Sequence, residues 1–218
     1  MDDQMKIGVL AIQGDFDAHA KVLARLGVEH SLVKTPADMQ GIAGLIMPGG
    51  ESTTHIKILK EEGLLPAIQK FAATGGAFFG TCAGVILLAR EVRSPAQESL
   101  GFLDVAVERN AYGRQLASHV HRGKSALRDE PIEMVFIRAP IIESVGRDVN
   151  ILAEYQGRPV LVEQGRILAA TFHPELTHET VVHEHFLAMC EKSQAPPVTN
   201  SRQLETARVA VDARPPRG

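Results

Sequence analysis

The chain's candidates for nucleophile and acid–base chemistry are two cysteines, Cys82 and Cys190, and nine histidines. Cys82 has the more suggestive setting. It lies in Ala77-Phe78-Phe79-Gly80-Thr81-Cys82-Ala83-Gly84-Val85-Ile86-Leu87-Leu88, which reads as a short apolar strand, a tight turn and an apolar helix. A nucleophile on such an elbow projects from the top of a sheet, beside the first amides of the helix. Those amides lack intrahelical partners and carry the positive end of the helix dipole. They favour a thiolate and donate to an oxyanion formed next to it. Gly80 and Gly84 have no Cβ and let other backbone come close. Taken alone, the stretch is also compatible with a buried, inert cysteine in an ordinary strand–helix turn.

A cysteine nucleophile needs a base that accepts its proton and later protonates the leaving group, and histidine titrates in the right range. His173-Pro174-Glu175 offers one, with a carboxylate two residues on that can fix its tautomer and orientation. Pro174 restricts the backbone between them. In isolation this is equally a surface turn. Pro48-Gly49-Gly50-Glu51-Ser52-Thr53-Thr54 is a third piece. It ends a predicted strand, where ligands bind in parallel sheets. Its glycines leave amides free for an oxyanion or a carboxylate, and it lacks the Gly-Lys-Ser/Thr ending of a phosphate loop. By itself it is as readily a turn and a helix cap.

The elements that must carry these residues alternate. Met5–Ile12 reads as a buried strand and is followed by a helix from Asp15 with Phe16, Ala20, Leu23 and Leu26 on one face. Val28–Val33 and Ala43–Met47 are further strands. Thr35-Pro36 with Asp38 reads as a helix start, and Ser52 as a helix cap. A helix over Leu64–Ala73 precedes the central strand. The pattern indicates a doubly wound, mostly parallel α/β sheet flanked by helices. Beyond Arg90, strands over Phe102–Arg109, Ser118–Leu127, Ile132–Ile137, Val149–Tyr155, Pro159–Glu163 and Arg166–Phe172 predict an antiparallel extension. Gln156-Gly157 and Gln164-Gly165 read as its hairpin turns. A last helix is expected from Glu179 to Cys190. No linker separates the halves, so residues 1–192 are expected to form one domain, with 193–218 a disordered, proline-containing tail.

The formal net charge of -3 gives no reason to expect nucleic acid or an anionic membrane as partner. Two cysteines are too few for a disulfide framework, and the acidic start is unlike a secretory signal. A reducing, cytoplasmic setting is expected. His178, Glu179, His183 and His185 miss the spacing of a zinc helix by one residue, and His119 with His121 is a weak pair. All are expected to be solvated, with no metal bound.

Together, Gly80-Thr81-Cys82-Ala83-Gly84, His173-Pro174-Glu175 and Pro48–Thr54 resemble a class I glutamine amidotransferase. More closely, the chain is similar to the branch formed by the glutaminase subunits of pyridoxal 5′-phosphate synthases. Gly8-Val9-Leu10-Ala11-Ile12-Gln13-Gly14, Arg109-Asn110-Ala111-Tyr112-Gly113-Arg114-Gln115 and Phe136-Ile137-Arg138-Ala139-Pro140 share in that resemblance, which runs from about Lys6 to Met189. It implies a flavodoxin-like fold and a triad of Cys82, His173 and Glu175. It implies glutamine contacts at Gly50, Glu51, Ser52, Arg109, Ile137 and Arg138, and an oxyanion hole from backbone at Gly49, Gly50 and Ala83. It also implies L-glutamine as substrate, no cofactor, and a (β/α)8-barrel synthase subunit that takes up the ammonia. The rivals are an amidotransferase subunit of another pathway, such as histidine biosynthesis, and a non-catalytic binding module on the same fold. Ser94–Ser99 and the long tail depart from the family pattern without touching a motif.

Overall fold

The computed structural model describes residues 5–109 and 118–191. The expected tail, and the stretch from Asn110 to Gln115, lie outside the described residues. Strands β1 (Lys6–Leu10), β2 (Glu29–Val33), β3 (Gly44–Met47), β4 (Ala77–Thr81) and β12 (Ile167–Ala170) form the parallel half of a nine-stranded sheet. Their order is β2-β1-β3-β4-β12. The remaining four continue it antiparallel beyond β12, in the order β11 (Arg158–Gln164), β10 (Asn150–Tyr155), β7 (Ser118–Ser125) and β8 (Arg128–Ile137). Both expected hairpin turns are present. Gln156, Gly157 and Gly165 all have positive φ, as tight turns between twisted strands require.

Both faces of the parallel strands are apolar, because each must receive helices. Leu45, Met47 and Phe78 point to one face, Ile46 and Phe79 to the other. The first face takes α2 (Ser52–Glu61), α3 (Leu64–Ala73) and α4 (Ala83–Leu88) through Ile56, Leu59, Leu64, Ile68 and Val85. The second takes α1 (Phe16–Arg25) and α5 (Val181–Glu191) through Leu23, Val182 and Phe186. Each such side chain, fully buried, stabilises the fold by about 1.5–3 kcal/mol.

Three local expectations are revised. Ser52 does not cap α2. Glu51 does, its carboxylate accepting from the backbone N–H groups of Thr53 and Thr54 at 3.1 and 2.7 Å. The start at Thr35-Pro36 is present, with Thr35 at the cap and Pro36 and Asp38 in the first turn, but it opens only one 3-10 turn, Pro36–Met39, held by Asp38 accepting from Lys34 and Thr35 N–H. A separate three-stranded sheet, β5 (Ala89–Arg93), β6 (Leu103–Glu108) and β9 (Ile141–Val145), packs against the first face, where the sequence suggested only an extension of the main sheet.

Candidate active site

β3, β4 and β12 are neighbours, all parallel, and each ends in one of the three motifs. Register places Met47 opposite Gly80, and Ala170 opposite Thr81. The turn at Cys82 is tied to β12 by its N–H donating to the Ala170 carbonyl at 2.9 Å. Cys82 has φ 48 and ψ -101, a conformation costly for a residue with a Cβ. Packing holds it there. Gly84 lies so close to β3 that a Cβ on it would sit 2.0 Å from the Met47 carbonyl oxygen.

His173 follows β12 and turns back into a one-turn 3-10 helix, Pro174–Leu176. Its N–H donates to the Val135 carbonyl of β8 at 2.8 Å. Its Nδ1 lies 2.8 Å from Glu175 Oε1, and both side chains are buried. Burial disfavours the imidazolium, but hydrogen bonding to Cys82 and to Glu175 outweighs it and raises the His173 pKa to about 10. Burial likewise works against the Glu175 carboxylate. His19 and His173 overcome that and hold its pKa well below the carboxylate range. His173 and Glu175 are therefore paired, with Cys82 next to the imidazole; the Cys82 Sγ–H is directed at the Ile137 carbonyl, 3.8 Å away. Cys190 contrasts with it, since burial pushes its thiol up to about 12 and leaves it no nucleophile.

The Gly49-Gly50 turn lies against the imidazole. A Cβ on Gly49 would meet His173 Cε1 at 2.5 Å, so only glycine fits. The Gly49 carbonyl accepts from Asp15 N–H at 3.3 Å, and Glu51 N–H donates to Gln13 Oε1 at 2.9 Å. Ala83 opens α4 beside Cys82. Gly50, Glu51 and Arg138 are exposed, and Arg138 has φ 43. Arg109 reaches Glu51 Oε1 at 3.3 Å. Glu51 is held down at about 2: burial opposes this, and donors from Thr53 and Thr54 prevail. Ser52 is buried and donates to Gln97 Oε1 at 2.8 Å, so its side chain is turned away from solvent.

Several residues near the site carried no motif. Asp15 Oδ2 lies 3.6 Å from His173 Nδ1. Thr81, His19 and His183 are fully buried behind Glu175. His183 thus departs from the expectation of a solvated histidine, because α5 turns it against α1. His119 also departs from it, stacked on Phe136 with both ring nitrogens shielded from water. His185 pairs with Glu163 at 2.5 Å, and His178 is exposed. The only signal for His19 was its spacing, three residues after Phe16 and four before Leu23, on the inward face of α1.

Burial lowers the His183 pKa to about 3 from 6.5. The unfolded chain binds a proton there that the folded chain refuses, so stability is complete above 6.5 and falls as pH drops. His55, also lowered by burial, acts in the same direction. His173, raised, contributes fully below 6.5 and leaves this window flat. A denaturant titration should lose about 2 kcal/mol through His183 between pH 6.5 and about pH 5, with His55 adding to the loss in the same direction. His183→Leu should flatten that slope, and a midpoint insensitive to pH in the wild type would contradict the burial argument.

No helix among the described residues is long and apolar enough to cross a membrane. The sequence profile of the SNO glutamine amidotransferase family matches residues 9–192. A pyridoxal 5′-phosphate synthase subunit PdxT from Koribacter versatilis is 54% identical over 185 residues, covering 85% of this chain and 95% of that protein. The subunit of the same name from Kosmotoga olearia is 50% identical over 185 residues, covering 84% and 96%. A crystal structure described as a glutamine amidotransferase superposes with a TM-score of 0.80 at 44% identity, covering 85% of this chain and 98% of that one. With a profile spanning most of its length and relatives near half identical, the chain belongs to the SNO glutamine amidotransferase family.

Proposed function

We propose that the chain is the glutaminase subunit of a pyridoxal 5′-phosphate synthase. It hydrolyses L-glutamine to L-glutamate and passes the ammonia to a separate synthase subunit. The observation that carries this reading is the placement of Cys82 and of the His173–Glu175 pair at two adjoining strand ends, those of β4 and β12, in a chain whose relatives are named as subunits of that synthase.

In this mechanism the Cys82 thiolate attacks the carboxamide carbon of glutamine. The oxyanion is taken up by backbone N–H groups of Ala83 and of the Gly49-Gly50 turn. The His173 imidazolium protonates the departing amine and ammonia leaves. The neutral imidazole then takes a proton from water, which attacks the γ-glutamyl thioester and releases glutamate. Glu175 keeps the His173 Nδ1 proton in place throughout. At the mouth, Glu51 and Arg109 already form an ion pair. A zwitterionic amino acid replaces that pair without stranding either charge: its α-ammonium meets Glu51, and its α-carboxylate meets Arg109 and Arg138. Gly50, Ser52 and Ile137 contribute backbone to the same pocket.

Ammonia is useful only if it reaches an acceptor before it is protonated in bulk water, so the acceptor must dock on this subunit. A (β/α)8-barrel synthase subunit fits that part. Its docking acts on the Gly49-Gly50 turn, which here is tethered through Asp15 and Gln13. A cytoplasmic setting suits a mechanism that needs Cys82 as a free thiol, and both cysteines are free. The test is glutamate release from glutamine, with and without the synthase subunit. Release should be slow alone and rise severalfold on mixing. Equal rates would refute the coupling, and no release in either case would refute the assignment.

A further inference from the structure

We propose that His19, held by His183, is a positioning residue for the catalytic carboxylate, so that the relay runs on from Glu175 through two buried imidazoles. This deepens the glutaminase reading and rests on it. His19 comes from α1 and His183 from α5, 164 positions apart in sequence. Both are fully buried. His19 Nδ1 lies 2.9 Å from His183 Nε2. On its other side, His19 Nε2 lies 3.1 Å from Thr81 Oγ1 and 3.4 Å from Glu175 Oε1. Phe79 sets its ring edge-to-face with both imidazoles, at 5.8 and 5.4 Å, and walls the pair from water.

Glu175 needs such support. Its side chain is wholly buried, and Oε2 has no hydrogen-bond partner among the described residues. Among the described residues every polar contact falls on Oε1: His173 Nδ1 at 2.8 Å, Thr81 Oγ1 at 3.4 Å and His19 Nε2 at 3.4 Å. A buried carboxylate with a bare oxygen stays ionised only if the other oxygen is well supplied with donors.

Counting protons fixes the tautomers. His183 Nδ1 is buried without a partner among the described residues. Leaving it as a lone pair costs less than burying an unpaired N–H. The His183 proton is therefore on Nε2 and is donated to His19 Nδ1. His19 must then carry its own proton on Nε2, aimed at Glu175 and Thr81. In this arrangement neither imidazole is charged, and each donor points toward the carboxylate. The charged and titratable groups around the pair are Glu175 and, beyond it, His173 and Asp15. Arg25 of α1 adds repulsion against a charge on His183.

Two measurements on the full-length chain decide this. Ring nitrogen-15 spectra should show His19 and His183 neutral near neutral pH, each protonated on Nε2. A charged ring, or a His183 proton on Nδ1, would overturn the proposal. In glutamate-release assays with the synthase subunit present, His19→Leu should lower kcat by about tenfold to a hundredfold, the size of a lost hydrogen bond to a charged group. KM for glutamine should be unchanged. The acid limb of the kcat profile should move up by about one pH unit, since the carboxylate has lost a donor. His19→Gln, which returns an N–H near the Nε2 position, should recover most of the rate. Wild-type kcat in His19→Leu, or a His19→Gln as slow as His19→Leu, would overturn it. If His19→Leu does not fold, His183→Phe takes its place: it frees His19 to change tautomer and should lower kcat without altering KM, whereas an unchanged kcat would count against the relay. A wild-type protein that releases no glutamate would fail the glutaminase reading, while the ring spectra would still decide the proton arrangement.

Discussion

Cys82→Ala should release no measurable glutamate from glutamine, a loss of at least about 10⁴-fold, because no other group near His173 can form the thioester. The fold should survive. Alanine keeps the Cβ, and the turn is held by backbone: Cys82 N–H to Ala170 and Val85 N–H to the Cys82 carbonyl at 3.1 Å. Thermal unfolding should therefore stay close to that of the wild type. Cys190→Ala is the matching control. Its sulfur lies in the core, where a Cβ on Gly44 would come within 2.6 Å of it. That variant should lose stability by about 1 kcal/mol or more through the cavity left behind, and keep the turnover of its folded molecules. Normal turnover in Cys82→Ala would end the assignment.

Glu175→Gln should cost about 10³- to 10⁴-fold in kcat, the loss seen when a buried orienting carboxylate becomes an amide. Two effects combine. The amide cannot compensate an imidazolium, so His173 should fall from about 10 and the alkaline limb of the rate profile should move down with it. The new NH₂ must also go somewhere. At the Oε2 position it is a buried donor with no acceptor, and at the Oε1 position it faces the His173 and His19 protons. Either placement should lower stability by about 1–3 kcal/mol. An unshifted alkaline limb would show that Glu175 does not control His173.

The elbow was legible because local rules agree there. An apolar run, two glycines and a second apolar run have few other solutions, and each residue of β4 and α4 is buried as that reading requires. β5 and β9 were not legible. Ala89–Arg93 follows α4 without a break and carries Arg90, Glu91 and Arg93, so it reads as the end of a helix. Only pairing with β6 makes it a strand. Ile141–Val145 is too short to show a period. Around the site, the proposed triad of Cys82, His173 and Glu175 was chosen from residue types, whereas Ser52 and Glu51 could not be placed. Their side chains are committed by partners elsewhere in space, Gln97 and Arg109, and by the preference of Glu51 for capping its own helix. Ser94–Ser99, which shows no motif, supplies that Gln97, as well as Glu98 to pair with Lys60 at 2.5 Å. The histidine pair was hidden for a similar reason, since nothing in either helix announces a neighbour 164 positions away.

β8 closes the long sheet on one side, and an outermost strand with unused backbone groups invites a second molecule to stack on it. Here Pro131 offers no N–H, and Arg128, Asp129, Glu130 and Glu133 place charge along the same strand. Further along, the Val135 carbonyl is already taken by His173 N–H. The contact that steadies His173 thus also occupies a position where fibrous self-association could begin, so a variant that unseats His173 should be more prone to aggregate as well as less active.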